Sequence, residues 1–276
     1  MKYKCIVSDL DMTLLGTGSA LSQKTKEVLG KLMEKGIVVV PASGRPFGAF
    51  PKEILDMEGI QYGITSNGAS IYDLKTGKAL YASKLSAGTA GQVMELLSGY
   101  ELTYEGYIDG KAYTSQAYFD DPVRYGAFPA VVEYIRSTRE PVEDIRRFLL
   151  ENREQLDCID VIVRQEIKQE VYKRIQEEIS GIYLTTSASH LIEISGAESG
   201  KHSGMQRLAK MLGFELSEIV AFGDGDNDSE MLREAGLGVA VANATAKCRE
   251  AADLVTDYNH LDGVPKALVS IFSEIL

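Results

Sequence analysis

The chain has 276 residues, 45% of them apolar and 25% charged, with a formal net charge of −11. That length suits about two domains, and that composition belongs to a chain that folds, not to a disordered one. The acidic balance argues against a nucleic-acid or anionic-membrane partner, and no apolar run approaches the ~20 residues needed to cross a bilayer. The opening MKYKCIVSDL is unlike a secretory leader, and Cys5, Cys158 and Cys248 are odd in number and lack CxxC spacing. A reducing cytoplasm is the expected compartment.

Residues 4–10 form a short apolar run rich in Ile and Val and read as a buried strand. Ser22 then caps a helix with Val28, Leu29, Leu32 and Met33 on one face, and Gly36 stands where a left-handed residue ends helices. A second strand over 37–42 completes a parallel βαβ unit. The middle is different: half of the tyrosines lie between Tyr100 and Tyr134. It contains helix candidates over 142–150 and 166–179, the latter with Ile167, Val171, Ile175 and Ile179 at i+4 spacing. Strand-like runs lie at 159–163 and 182–185. The tail returns to alternation: helix 205–211, strand 219–222, helix 229–235 closed by Gly236, strand 237–242, and helices near 244–251 and 265–275. The fold class is therefore α/β: a Rossmann-like parallel sheet assembled from residues 1–82 and 190–276, with an α/β domain inserted over 83–189.

Three polar clusters each follow an expected strand: Asp9-Leu10-Asp11-Met12-Thr13, Ser43-Gly44-Arg45, and Gly223-Asp224-Gly225-Asp226-Asn227-Asp228. The carboxyl ends of parallel strands share one edge, so acids from both ends of the chain converge on one crevice. Carboxylates packed that closely need a cation among them, and hard oxygen donors suit Mg²⁺. A calcium loop starting at Asp224 fails, because Ser229 and Ala235 stand where Gly and Glu are required. Gly196-Ala197-Glu198-Ser199-Gly200-Lys201-His202 is one residue short of a P-loop, and His202 replaces its hydroxyl residue.

In order and combination, these residues resemble the haloacid dehalogenase (HAD) superfamily. Asp9-x-Asp11-x-Thr13 matches its first motif, Ser43 its second, Lys201 its third, and Gly223-Asp224-x-x-Asn227-Asp228 its fourth. Ser66-Asn67-Gly68-Ala69, Asn243-Ala244 and Asp262-Gly263-Val264 resemble the Cof-type sugar-phosphatase subfamily, whose inserted cap domain (type IIB) matches the middle segment in position and length. Asp226 and His202 depart from the usual pattern without removing a group that the chemistry needs.

The resemblance implies a Mg²⁺-dependent phosphatase that hydrolyses a small phosphorylated metabolite, a sugar phosphate above all, through an aspartyl-phosphate. Asp9 would be the nucleophile and Asp11 the general acid and base, with Lys201 offsetting negative charge. The metal would be held by Asp9, Asp11 (through its backbone carbonyl), Asp224 and Asp228. Leu10, Thr13, Ser43, Gly44, Arg45, Asn67, Lys201 and Asn227 would meet the phosphate or substrate. The inserted tyrosines would offer stacking faces or serve as half-buried strand residues, and His190 and His202 would be structural. The alternatives are a phosphosugar mutase and a non-catalytic phosphate-ligand binder. A monomer or weak homodimer is expected.

Overall fold

The computed structural model describes residues 2–276. Its strands in chain order are β1 (Cys5–Ser8), β2 (Val38–Pro41), β3 (Tyr62–Thr65), β4 (Ser70–Asp73), β5 (Lys78–Ala82), β6 (Thr103–Ile108) and β7 (Lys111–Ser115). They continue with β8 (Arg139–Val142), β9 (Leu156–Ile162), β10 (Ile182–Thr185), β11 (Leu191–Gly196), β12 (Ile219–Gly223), β13 (Leu237–Ala240) and β14 (Leu254–Val255). The chain divides into two units.

The first unit is built from the chain up to Gly44, Phe50–Leu80 and Gly200–Leu276. Its main sheet runs β14-β13-β12-β1-β2, parallel throughout. The central strands are apolar and closed to water on both faces, as a helix-covered parallel sheet requires: Ile6, Val7, Val39, Val40, Val220, Ala221 and Phe222 are all buried. The crossover helix Gln23–Glu34 is capped by Ser22, whose hydroxyl accepts the Thr25 N–H, and Gly36 takes φ 85° just beyond its end. β3 joins β2 through a single parallel bridge, Ala42 to Ile64, and pairs antiparallel with β4; β5 completes that small sheet. Because β1, β2 and β12 run side by side in one direction, the residues after Ser8, Pro41 and Gly223 emerge along one edge.

The second unit comprises Arg45–Ala49 and Tyr81–Ser199. Its six-stranded sheet has the order β10-β11-β9-β6-β7-β8, antiparallel except for the parallel β7–β8 pair. Alternate residues face opposite ways along each strand. Tyr104, Ile159, Val161, Ile192 and Ile194 pack with the helices Ala87–Leu96, Ile145–Glu151 and Gln165–Glu178 into one apolar core. Ile162 faces the other way, against Tyr118, Ala127 and Ile135 of the segment joining β7 to β8.

This sheet corrects the expected domain join. β11 pairs with both β9 and β10, and Ile192 and Ile194 fill the second unit's core, so the chain returns to the first unit at Gly200 and not at 190. Arg45–Ala49, expected with the parallel sheet, also belong to the second unit. The helix expected over 205–211 begins at Lys201, and the one expected from 142 begins at Ile145, because Val142 still belongs to β8. The three cysteines are free and buried. Among the described residues no helix is long and apolar enough to cross a membrane.

Candidate active site

Asp9 sits one residue past β1, its N–H donated to Phe222 O of β12 at 2.9 Å, so backbone pairing between the two central strands fixes its position. The chain then winds through a wide turn closed by Leu14 N–H to Asp9 O at 3.3 Å and Leu15 N–H to Leu10 O at 2.8 Å. Leu10 is fully buried, so a ligand at this turn would meet its backbone and not its side chain. Met12 is left-handed, at φ 61° and ψ 4°, with its side chain exposed. Thr13 is buried and its hydroxyl donates to Asp224 Oδ1 at 2.8 Å, tying the first acidic loop to the loop after β12.

Lys201 is 1% exposed, at the first turn of the helix Lys201–Leu212. Its ammonium lies 2.6 Å from Asp9 Oδ1 and 2.7 Å from Asp228 Oδ1. The other Asp228 oxygen accepts the N–H groups of Asp224 and Gly225, at 3.0 and 2.9 Å. Asp9, Asp224 and Asp228 each offer an oxygen within 4.8 Å of the others; the Asp11 carboxylate is outside this group.

Electrostatics follow from that packing. Burial pushes the Asp9 carboxyl well above the ordinary range, Lys201 opposes this, and the charges of Asp228, Asp224 and Asp11 add to it. Burial raises Asp224 to about 6, with Asp228 contributing, while the Thr13 hydrogen bond and Lys201 act against the rise. Lys201 is held protonated: its two carboxylate partners, Asp228 then Asp9, outweigh the opposing effect of burial. Three carboxylates against one ammonium leave an excess of two negative charges when all are ionised. An all-oxygen donor set with that excess fits a divalent cation.

Asn67 joins the remaining loops. Its N–H donates to Ser43 O at 3.0 Å, its carbonyl accepts from Gly200 N–H at 2.7 Å, and its side-chain oxygen accepts from Asn227 Nδ2 at 3.0 Å. One residue thus touches the second-motif loop, the residue before Lys201, and the loop after β12. Its φ of 51° is a left-handed conformation that Asn tolerates better than most residues. Gly68 follows at φ 83°, where an added Cβ would lie 2.1 Å from Gly200 O, so the approach of the Lys201 helix demands glycine. Ser43 is buried, its N–H donated to Ile64 O at 2.9 Å, and Gly44 is the last residue of this stretch of the first unit.

Of the residues singled out in the sequence, the structure brings together Asp9, Thr13, Ser43, Asn67, Lys201, Asp224, Asn227 and Asp228 within the first unit. Arg45 lies in the second, where it donates to Ala49 O at 3.0 Å and stacks its guanidinium 4.3 Å from the Tyr134 ring centroid. Inspection of the sequence missed Thr245 and Asn259. Thr245 donates its hydroxyl to Asp226 and its N–H to Asp224 O, and Asn259 donates to Leu15 O. Neither lies in a recognisable spacing, and only the folded chain places them here.

A family model for haloacid dehalogenase-like hydrolases matches residues 6–268. The chain is 28% identical to the 5-amino-6-(5-phospho-D-ribitylamino)uracil phosphatase YcsE of Bacillus subtilis, over 96% of this chain and 94% of that one. A haloacid dehalogenase-like hydrolase from B. subtilis superposes with a TM-score of 0.83 at 29% identity, covering 96% of this chain and 98% of the other. The HAD subclass IIB sugar phosphatase BT4131 shares the fold at a TM-score of 0.81 and 21% identity, covering 99% and 100%. With the match running across both outer segments and the insertion alike, the chain belongs to the haloacid dehalogenase-like hydrolase family, as an enzyme of phosphatase type.

Proposed function

We propose that the chain is a Mg²⁺-dependent phosphatase acting on the phosphate monoester of a small metabolite, a sugar or polyol phosphate, through a phosphorylated Asp9. The observation that carries this reading is the convergence of Asp9, Asp224 and Asp228 on one point beside a buried lysine, with Thr13 tying the two acidic loops together. A likeness to a phosphatase of a ribitylamino-uracil phosphate supports the substrate class.

In this reading Asp9, Asp224, Asp228 and the Asp11 carbonyl hold the cation. Bound there, it neutralises charge on the phosphoryl oxygens and keeps Asp9 ionised. An Asp9 oxygen forms a bond to phosphorus as the bond from phosphorus to the leaving oxygen breaks, and Asp11 gives that oxygen its proton. Water then attacks phosphorus, Asp11 takes the proton, and the Asp9 carboxylate and inorganic phosphate are released. Lys201 stays protonated throughout and offsets the charge of the nucleophile and phosphate. Ser43 and Asn227, with the backbone N–H groups after Asp9, that of Thr13 included, and at Gly44, hydrogen-bond the phosphoryl oxygens, Asn67 orients Asn227, and the Thr13 hydroxyl stays on Asp224. The reaction suits a cytoplasmic enzyme, a reducing setting in which the three buried thiols persist.

The test is phosphate release from a panel of glucose 6-phosphate, ribose 5-phosphate, flavin mononucleotide, pyridoxal 5′-phosphate and p-nitrophenyl phosphate, with Mg²⁺ or with EDTA. Release that needs Mg²⁺ and vanishes in Asp9→Asn is expected. Accumulation of an isomeric phosphosugar without free phosphate would instead identify a mutase, and silence across the panel with retained phosphate-ester binding would identify a binder.

A further inference from the structure

The left-handed residue in the nucleophile turn is a methionine. A bulky side chain at φ 61° is disfavoured, and such conformations persist only where the surroundings hold them. At Met12 the surroundings are two asparagines more than 200 residues downstream. Asn243 donates Nδ2 to Met12 O at 2.8 Å. Its side-chain oxygen accepts the Asn259 backbone N–H at 3.0 Å, and Asn259 in turn donates its own Nδ2 to Leu15 O at 2.9 Å. The amide orientation of Asn243 follows from its partners, since a backbone N–H can only donate and a carbonyl can only accept. The result is a relay that grips the turn at its middle, Met12, and at its far end, Leu15, from outside the acidic cluster.

We propose that Asn243 and Asn259 are positioning residues for Asp11, acting through the backbone of the nucleophile turn. Asp11 is extended, at φ −74° and ψ 129°, and the left-handed step immediately after it reverses the chain. Without the relay the turn relaxes toward conformations that methionine prefers, and the Asp11–Met12 peptide rotates. The Asp11 carboxyl then leaves the place from which it protonates the departing oxygen. Asp9 is anchored separately by its N–H to Phe222 O and by Lys201, so the nucleophile stays in place. The rotating peptide also carries the Asp11 carbonyl, a proposed cation ligand, so the relay acts on cation affinity as well as on proton delivery, and saturating Mg²⁺ isolates the second.

This inference rests on the phosphatase reading above, and leaving-group chemistry separates the two. A nitrophenolate departs without a proton; an alkoxide does not. Kinetics of wild type, Asn243→Ala, Asn259→Ala and the double variant are compared, at Mg²⁺ concentrations that saturate each, on p-nitrophenyl phosphate and on whichever alkyl phosphate of the panel wild type turns over fastest. The expected result is a fall in kcat of at least tenfold for the alkyl ester but under threefold for the nitrophenyl ester, with KM little changed. The double variant should lose more than either single one, because Asn259→Ala keeps the backbone N–H that Asn243 accepts, so each substitution removes a separate grip on the turn. Met12→Gly in the Asn243→Ala background should recover part of the alkyl-ester rate, since glycine takes φ 61° without a holder. Equal losses on both esters overturn the relay while leaving the phosphatase reading intact. No release by wild type from any ester overturns both. Thermal unfolding of each variant, measured alongside, identifies any that merely fails to fold; the Asn259→Ala and rescue variants then carry the decision.

Discussion

The first unit gathers Asp9, Asp224 and Asp228 about Lys201, while the second lines up Glu193, Asp160 and Glu105 across three neighbouring strands beside Arg139. In residue types the two sets are nearly alike: three carboxyl groups, all buried but for the half-buried Asp224, and one cation. Their backbone settings differ. The first set projects from loops after parallel strands, where side chains from distant segments can point at one spot. In the second, Asp160 stands opposite Glu105 on one side and Glu193 on the other, so strand spacing fixes the three in a row. Like charges opposite one another across strands are unfavourable.

The row is relieved from within the protein. Arg139 reaches Glu105 with three N–H···O contacts of 3.1–3.2 Å, and Tyr107 donates its hydroxyl to Asp160 at 2.8 Å. Burial, reinforced by Glu193 and Glu105, pushes the Asp160 carboxyl well above the ordinary range, with the Tyr107 hydrogen bond and Arg139 acting against the rise. Lys201 leaves the loop cluster with charge still to be balanced by something that binds. Acidic residues read as a ligand site only where the backbone lets them converge; in a row they are internal structure.

Four measurements would break or sharpen this contrast, the first by the widest margin. Asp9→Asn should lower phosphate release by about six orders of magnitude, as loss of a nucleophile does, with circular dichroism unchanged. No comparable loss should follow from changing Asp160. Arg139→Met should cost about 3–5 kcal/mol of stability, because it strands a buried Glu105, and urea unfolding would read this directly. Mg²⁺ at a hundred times its Kd should stabilise the wild-type chain by about 2.7 kcal/mol, in an Asp160→Asn variant as much as in wild type. A Mg²⁺ effect lost in Asp160→Asn and kept in Asp9→Asn would reverse the assignment of the two clusters.

The smallest effect concerns pH. A carboxyl whose folded pKa is raised binds its proton more tightly when folded, so it subtracts stability as pH climbs from the unfolded value toward the folded one. Asp160→Asn removes that loss. Its melting temperature should match wild type in acid, and the gain over wild type should grow as pH rises. A gain that shrinks with rising pH would show an ionised, well-paired Asp160.

The contrast also explains what could be read from the sequence. The loop acids announce themselves, because each follows a short apolar run: Cys5–Ser8 before Asp9, and Ile219–Gly223 before Asp224. Lys201 was found by its place among ordered motifs, although its helix starts before any apolar periodicity does. In the second unit the signal fails for a physical reason. Glu105, Asp160 and Glu193 occupy strand positions whose side chains are buried, so the alternation that marks a strand is interrupted by charge. β6 and β11 carry two of these acids and are illegible for this reason, which also hides the return to the first unit at Gly200. The relay to Met12 was hidden differently. Asn243 was visible as a motif residue, but its partner at Asn259 exists only through a contact that spans the chain.

That span has a consequence for synthesis. β1 emerges from the ribosome first, yet one of its two flanking strands, β12, is translated some two hundred residues later; the Thr13–Asp224 bond bridges 211 positions. At about 5–20 residues per second, the nascent amino terminus waits about 10–40 s for that partner. Throughout the wait Asp9 lacks Lys201, Asp224 and Asp228, so the growing polypeptide carries an acidic loop without its neighbours, and the cluster closes only once translation has delivered the far side of the sheet.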